Sequence, residues 1–174
     1  MLVCPDCGAD DLIEGVDECE HCGQTLTDLF IRVPKFSVEA DLLRDRIGDL
    51  PSHPPVEVAP STTVGEALRM MVEERIGCVL IVVDENLAGV FSERDALVKL
   101  GADGARLSEQ PLVKFMTPNP AVVAASDRIA VALHKMDLGG YRHLPVMEGE
   151  KPVSIISVRD ILRYLTDHSR QASA

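Results

Sequence analysis

The chain has 174 residues, a formal net charge of −11 and 46% hydrophobic residues, and only 3% of its residues are aromatic. This length suits one or two globular domains, and their core must be built from aliphatic side chains. The negative charge disfavours nucleic acid and anionic membrane surfaces as partners, because both repel an acidic protein.

Nothing in the sequence predicts membrane insertion or export. The longest uninterrupted apolar run covers residues 78–83, whereas a helix that crosses a bilayer needs about 20 apolar residues. The first residues contain no basic segment followed by an apolar stretch, so a secretory signal is not expected. We therefore expect a cytoplasmic protein without membrane contact.

Two C-x-x-C-G motifs open the chain. They contain Cys4 and Cys7 in the first motif and Cys19 and Cys22 in the second. Each motif turns tightly enough for both thiolates to face one ion, and four thiolates at about 2.3 Å form a closed tetrahedral site that suits zinc. Similar motifs hold iron, so iron is the alternative metal. A closed site has no open position for a substrate, so we expect a structural role.

Residues 1–28 resemble a zinc ribbon, and we predict a ribbon domain over residues 1–30. Residues 1–31 contain no lysine or arginine and eight acidic residues. Contacts with phosphates need basic side chains, so this ribbon is a poor candidate for nucleic-acid binding. We expect it to dock a protein partner or to stabilise the N-terminus.

A connector at residues 31–55 follows and contains prolines at positions 34, 51, 54 and 55. Between these prolines, residues 37–47 alternate apolar and charged positions at helical spacing. This pattern predicts a short amphipathic helix, which we expect to pack against the domain that follows.

Residues 56–115 are predicted to run strand, helix, strand, strand, helix. The predicted strands cover residues 56–59, 79–83 and 87–91. Thr63 and Glu66 have the spacing of a capping box, which predicts the start of the first helix. Ser92 is predicted to begin the second helix, and residues 101–104 are predicted to form a loop.

The same plan returns 65 positions later without a gap. Ser92, Arg94 and Asp95 are repeated as Ser157, Arg159 and Asp160. A shared offset over more than forty residues indicates a duplicated structural unit. The second unit, residues 116–174, is therefore predicted to have strands at 121–124, 144–147 and 153–156. Its helices should begin near Ser126 or Asp127 and at Ser157.

Residues 48–168 resemble a tandem pair of CBS domains, the regulatory modules named after cystathionine β-synthase. The lead-in Met116-Thr117-Pro118, residues 141–146 and the two Ser-x-x-Asp groups carry this resemblance. It implies an α/β (α+β) fold of two halves related by a pseudo-twofold axis. It also implies clefts that bind adenosine ligands (AMP, ADP, ATP, S-adenosylmethionine or NAD) and assembly into a homodimer.

The resemblance assigns roles to particular residues. In the family pattern the motif aspartate binds ribose and the motif serine binds phosphate, which implies Asp95 and Asp160 for ribose and Ser92 and Ser157 for phosphate. Arg94 and Arg159 would add positive charge for phosphates. The residues expected to recognise adenine are Gly77, Cys78, Val79, Arg142, His143 and Leu144.

The Ser-x-x-Asp group also has a purely structural explanation, because the same spacing forms a capping box at a helix N-terminus. Capping explains the serine and the aspartate but neither the repeated arginine nor Gly89. The two sites also differ, since Gly89 corresponds to Ser154, and Gly77 and Cys78 correspond to Arg142 and His143. We expect the second site to matter more for a ligand with several phosphates.

The sequence thus predicts a regulatory module that binds an adenosine nucleotide and signals to an unidentified protein partner. No nucleophile–base pair, open metal site or phosphate-transfer loop is recognisable, so we do not expect an enzyme. The alternatives are a rubredoxin-like iron protein with a redox role and a zinc-ribbon regulator that binds nucleic acid.

Overall fold

The computed structural model describes residues 4, 7–10, 12, 18–26, 37–51 and 53–171. The predicted boundary between ribbon and connector, at residues 30 and 31, lies outside these residues. Among the described residues, no helix combines the length and apolar character needed to cross a bilayer.

The elements follow the predicted order with altered bounds. The α-helices are α1 (Ser37–Arg44), α2 (Val64–Glu73), α3 (Glu93–Asp95), α4 (Gly104–Leu107), α5 (Ile129–Gly139) and α6 (Val158–Gln171). The strands are β1 (Glu57–Val58), β2 (Cys78–Val83), β3 (Asn86–Ser92), β4 (Thr117–Pro118), β5 (Val123–Ala124), β6 (His143–Glu148) and β7 (Lys151–Ser157).

The strands form two small sheets, as expected for a mixed α+β protein. The first sheet has the order β1–β2–β3–β4. Strand β1 is parallel to β2, and β2 pairs antiparallel with β3, with an irregularity between Ile81 and Val82. The second sheet has three strands and contains β6 and β7 as neighbours. The predicted fold class is therefore confirmed.

Strand β2 lies at the centre of the first sheet and reads as a continuous apolar run, which is typical of a strand covered on both faces. Its residues pack with α2, β3 and the segment before β4 into one aliphatic core. The buried members of that core are Val58, Val64, Ala67, Met71, Val79, Ile81, Phe91, Leu100 and Leu112. Two aromatic side chains contribute to this core: Phe91 is buried in it, and the partly buried Phe115 packs against it.

Local sequence patterns predicted one helix start correctly and another wrongly. Thr63 caps α2 by accepting a hydrogen bond from the Glu66 N–H, and the Glu66 carboxylate accepts from the Thr63 N–H in return. Helix α5 has Arg128 at its N-cap, one residue after Asp127 and two after Ser126, the two predicted caps. The Asp127 carboxylate instead accepts a hydrogen bond from the Ala124 N–H at 2.8 Å, which closes the turn after β5.

The segment after Ser92 differs from the predicted helix and loop. Helix α3 continues as a π-helical turn over Ala96–Leu100, a 3-10 turn over Gly101–Asp103 and then α4. Gly101 has a φ of 49°, a left-handed backbone conformation that glycine adopts without strain and that ends the π-helical turn. The predicted loop at residues 101–104 is therefore helical.

The segment that precedes each repeat pairs with a strand of the other repeat, so the two lead-in segments are exchanged. The lead-in segment of the second repeat (Met116, Thr117 and Pro118) forms β4, which pairs antiparallel with β3 of the first repeat. At the equivalent place, His53 precedes the first repeat and bridges to Ile155 in β7 of the second. Each lead-in segment therefore pairs with a strand of the other repeat, β4 as a sheet strand and His53 through an isolated bridge.

The chain divides into two compact units that interleave along the sequence. The first unit comprises residues 1–52, 123–142 and 157–174, and the second comprises 53–122 and 143–156. The predicted domain boundaries at 55/56 and 115/116 stay predictions.

Within the first unit, the connector packs on the second repeat. The main contacts of α1 are to α5 and α6. The Ile129 N–H donates to the Asp45 carbonyl at 3.0 Å, and the Tyr164 hydroxyl donates to the Asp45 carboxylate at 2.6 Å. The expectation that the connector helix packs on the repeat that follows it is therefore wrong.

Gly89 lies where β4 crosses closest to β3. A Cβ atom added at Gly89 would lie 2.6 Å from the Met116 Sδ and 2.9 Å from the Thr117 carbonyl oxygen. The lead-in segment thus fills the side-chain space at Gly89, which explains the glycine without a ligand.

We expect Gly89→Ala to lower the free energy of unfolding by about 1–3 kcal/mol, because the methyl group would push β4 away from β3. Urea denaturation followed by circular dichroism measures this change. Gly104→Ala is the matched control: its Cβ would find its nearest neighbour, Leu100, at 4.0 Å, and it should be neutral or stabilising. Equal effects of both substitutions would contradict this account.

Candidate functional site

Two matching turns hold the N-terminal cysteines in the first unit. The Gly8 N–H donates to the Cys4 carbonyl at 3.0 Å, and the Gly23 N–H donates to the Cys19 carbonyl at 2.7 Å. Gly8 and Gly23 have φ angles of 76° and 72°, which explains why glycine follows the second cysteine of each motif. The two turns therefore share the same backbone hydrogen bond and the same positive-φ glycine after the second cysteine.

The four sulfur atoms lie within 4.8 Å of one another. The Sγ atoms of Cys4 and Cys22 are 3.7 Å apart, as are those of Cys7 and Cys19. Four sulfurs bound at about 2.3 Å to one tetrahedral ion would be about 3.8 Å apart, whereas a disulfide needs about 2.05 Å. The arrangement therefore suits a single metal ion and excludes disulfide pairing.

The surroundings of the cluster affect its thiols differently, since burial and the neighbouring sulfurs raise the pKa of Cys22 while the pKa of Cys19 is lowered. Burial raises the pKa of Cys19, but hydrogen bonds from the backbone N–H groups of Cys22 and His21 lower it more, to about 7. The guanidinium of Arg128 lies beside Gly8, 3.5 Å from the position of an added Cβ. A cation at this place offsets part of the negative charge of four thiolates.

In the first repeat, Ser92 and Asp95 form a closed pair at the end of β3. The Ser92 N–H and hydroxyl both donate to Asp95 Oδ2, at 2.9 and 2.6 Å, and the Asp95 N–H donates back to the hydroxyl at 3.3 Å. This is the capping box that the sequence allowed as a structural explanation. Arg94 between them is exposed.

The second repeat builds the same pair in the first unit. The Ser157 N–H and hydroxyl donate to Asp160 Oδ2 at 2.8 and 2.7 Å. Asp160 is buried, with 6% of its surface exposed, whereas Arg159 is exposed. The duplication thus preserves the geometry of the motif as well as its sequence.

A second equivalence ties each motif to the strand before it. The Glu93 N–H donates to the Gly77 carbonyl, and the Val158 N–H donates to the Arg142 carbonyl, both at 3.0 Å. The residues predicted to recognise adenine therefore begin next to each motif. Cys78, Val79 and Leu144 are buried, His143 is half-buried and Arg142 is exposed.

Two stretches of the chain, residues 47–102 and 112–167, match the family model of the CBS domain. The chain belongs to the CBS-domain family.

Relatives and solved structures agree with this assignment. A CBS domain-containing protein of Arabidopsis thaliana, CBSCBSPB5, is 41% identical over 108 residues, which cover 60% of this chain but 19% of the plant protein. Two solved CBS proteins superpose on most of the chain. CBSX2 in complex with AMP has 26% identity and a TM-score of 0.61, covering 71% of this chain and 98% of its own. PAE2072 of Pyrobaculum aerophilum, complexed with AMP, has 27% identity and a TM-score of 0.60, covering 71% and 99%.

The first CBS repeat contains a cation that the sequence interpretation missed. The Lys99 Nζ lies 2.8 Å from Asp95 Oδ1, and the Thr117 hydroxyl donates to the same oxygen at 2.9 Å. Lysine four residues after aspartate is a common helical ion-pair spacing and was the available signal. The contribution of Thr117 depends on the crossing of β4 and has no local signal.

These contacts determine the ionisation of Asp95. Burial raises the pKa of this carboxyl, but hydrogen bonds from Lys99, Ser92 and Thr117 lower it more, so the pKa lies below its ordinary value. Asp95 is therefore an ionised acceptor surrounded by donors.

The structure brings Gly77 and His143 of the CBS pair together, although the sequence assigned them to different sites. A Cβ at Gly77 would lie 2.5 Å from His143 Cε1 and 2.7 Å from Nε2, so the imidazole occupies the side-chain space of position 77. Burial raises the pKa of the neighbouring Cys78 to about 12, with smaller contributions from Asp95 and Glu93. Cys78 is thus a neutral, apolar wall of this region.

Asp95→Asn should cost stability at neutral pH and progressively less in acid. Because the folded pKa lies below the unfolded value of about 3.9, the ionised carboxylate contributes stability above pH 4 that is lost as the pH falls through the folded pKa. Urea unfolding of both proteins at pH 7 and at pH 3 measures the difference. Asp103→Asn alters an exposed ion pair with Arg106 and should change the free energy of unfolding only slightly at both pH values. If Asp95→Asn lowers the free energy of unfolding equally at pH 7 and pH 3, an ionised, stabilising Asp95 carboxylate is contradicted.

Proposed function

We propose that this chain is a regulatory CBS pair that binds an adenosine nucleotide and passes a conformational change to a protein partner. Candidate ligands are AMP, ADP, ATP, S-adenosylmethionine and NAD. The observation that carries the proposal is the duplicated Ser-x-Arg-Asp geometry in a chain of the CBS family. The two related structures complexed with AMP support the ligand class.

The proposed ligand contacts of the first repeat all come from the second unit. Asp95 binds ribose, since its ionised carboxylate can accept a hydrogen bond from a ribose hydroxyl. Ser92 and Arg94 bind phosphate, because Ser92 lies at the N-cap of α3 and an exposed guanidinium suits an anion on an otherwise acidic protein. Backbone groups of residues 77–79 bind adenine, with the buried Cys78 and Val79 providing an apolar surface.

In the second repeat, Asp160 takes the ribose role and Ser157 and Arg159 the phosphate role. Arg142, in the same unit as these residues, keeps its predicted adenine role. The two repeats are expected to bind unequally, because the second places arginine at position 142 where the first has Gly77. Ligands with several phosphates should prefer the repeat with the additional guanidinium.

The N-terminal cysteines are proposed to hold one structural zinc ion in a ribbon that docks a protein partner. Four sulfur donors at tetrahedral spacing support zinc and leave no position for a substrate. A metal that binds only the folded ribbon stabilises it, which a segment with so small a core needs. The buried residues of that core are Cys4, Cys19 and Leu26. The absence of basic residues in positions 1–31 supports a protein partner over nucleic acid.

We also propose a non-enzymatic homodimer that works in the cytoplasm. Three large apolar side chains on helices or helical turns support association with a second copy, since Val72, Leu97 and Leu138 are 77%, 78% and 73% exposed. The cysteines that the structure describes form no disulfide, which suits a reducing compartment.

Calorimetric titration of the purified chain with AMP, ATP, S-adenosylmethionine and NAD tests nucleotide binding. We expect saturable binding of at least one ligand, together with a raised melting temperature. Asp95→Ala and Asp160→Ala should each weaken binding at their own site about tenfold or more, because hydrogen bonds to a charged acceptor are lost. Asp103→Ala removes an exposed carboxylate outside the motif and should bind normally. No heat and no melting shift with any ligand would refute the proposal.

Metal analysis by mass spectrometry tests the ribbon. We expect a colourless protein with one zinc per chain, and Cys7→Ala should lose most of the metal because three thiolates leave an incomplete site. Cys78→Ala changes the remaining cysteine, which is buried elsewhere, and should retain one zinc. An iron absorption band would instead support the redox alternative, and metal-free wild-type protein would refute the metal site.

A further inference from the structure

The ammonium of Lys99 contacts four oxygen atoms, although its side chain is 33% exposed. Its ammonium donates to the Phe115 carbonyl at 2.9 Å, the Met116 carbonyl at 3.0 Å and the Thr117 hydroxyl at 3.0 Å. The Asp95 carboxylate lies 2.8 Å from the same nitrogen. Lys99 therefore joins the motif of the first repeat to the lead-in segment.

The carboxylate of Asp95 is fully engaged by these donors. Its Oδ2 accepts from the Ser92 N–H and hydroxyl, while Oδ1 accepts from the Thr117 hydroxyl and Lys99. A carboxylate offers about four acceptor positions. Ribose hydroxyls must therefore displace one of these donors before Asp95 can bind them.

Lys99 is the donor that a ligand can displace with least disturbance. The Ser92 N–H belongs to the backbone at the start of α3, and the Ser92 hydroxyl is held in the capping box, where it also accepts from the Asp95 N–H. Thr117 is held in β4 by its pairing with Val90. The lysine ammonium ends a flexible stem with free rotation about four carbons. Its movement requires no change in the sheet.

The consequence depends on the charge of the ligand. An ammonium that leaves Asp95 loses its counter-charge, and an uncharged nucleoside offers no replacement. The phosphate of a nucleotide offers one, so the ammonium exchanges one anionic partner for another.

We propose that Lys99 is a specificity determinant of the first repeat, which makes this site select phosphate-bearing nucleotides over uncharged nucleosides. The inference rests on the proposed nucleotide binding at Asp95. The duplicated position in the second repeat is Tyr164, whose hydroxyl donates to Asp45 at 2.6 Å. The selection is therefore particular to the first repeat.

The test is calorimetry with AMP and with adenosine in an Asp160→Ala background, which leaves the first repeat as the competent site. Lys99→Gln keeps amide donors for the carbonyls of the lead-in segment but removes the charge. We expect it to lower the preference for AMP over adenosine about tenfold, with tighter adenosine binding and weaker AMP binding. Lys99→Arg retains the charge and should keep most of the preference.

Lys114→Gln is the matched control, because Lys114 is exposed and donates to Gln110 in the same part of the chain. It should leave the preference unchanged, and circular dichroism checks that each variant is folded. A merely structural role for Lys99 would change both affinities by the same factor, and that result would overturn the inference.

The two proposals fail in different ways. If wild-type protein binds neither AMP nor adenosine, the proposed function fails and this inference with it. If wild-type protein binds AMP but the Asp160→Ala protein does not, the first repeat is not a site and only the Lys99 inference is overturned. If Lys99→Gln leaves the preference for AMP over adenosine unchanged, the Lys99 inference is likewise overturned and the proposed function stands.

Discussion

The close approach of the lead-in segment to β3 is the contact on which the rest of the first-repeat site depends. It is permitted by Gly89, since any larger residue would meet the Met116 sulfur and the Thr117 carbonyl. The same crossing places the Thr117 hydroxyl and two carbonyls around Lys99, and so places Lys99 on Asp95. A glycine in a strand thereby determines the ionic surroundings of a carboxylate six residues later.

The proposed ligand role of the motif carboxylates need not compete with their structural role. Asp95 and Asp160 complete the capping boxes at the starts of α3 and α6, and this requires one oxygen of each carboxylate. In the first repeat the other oxygen accepts from Thr117, which is held in β4, and from Lys99, the donor that the proposed ligand would displace. A structural use of the motif therefore explains why it is folded in advance, and a ligand can still bind the second oxygen.

The N-terminal cysteine segment and the CBS pair meet different physical demands. The cysteine segment has a core of a few buried residues, and the proposed metal ion would stabilise it by joining four thiolates at one point. Arg128, at the N-cap of α5, lies beside the first cysteine turn and also donates to the Arg44 carbonyl. Through Arg128 and the connector, the cysteine cluster is attached to the helices of the second repeat within one compact unit.

The sequence by itself determined the features that depend on neighbouring residues. The 65-residue duplication is visible when the chain is compared with itself. The order of strands and helices, the capping of α2 and the spacing of the cysteines follow from local patterns, because periodicity and turns act over a few positions. The ion pair of Asp95 with Lys99 could also be predicted from its spacing.

Only the tertiary structure decided the exchanged lead-in segments, the packing of α1 on α5 and α6, and the contact of Gly77 with His143. These join residues far apart in the chain, and their energy comes from packing that no local pattern records.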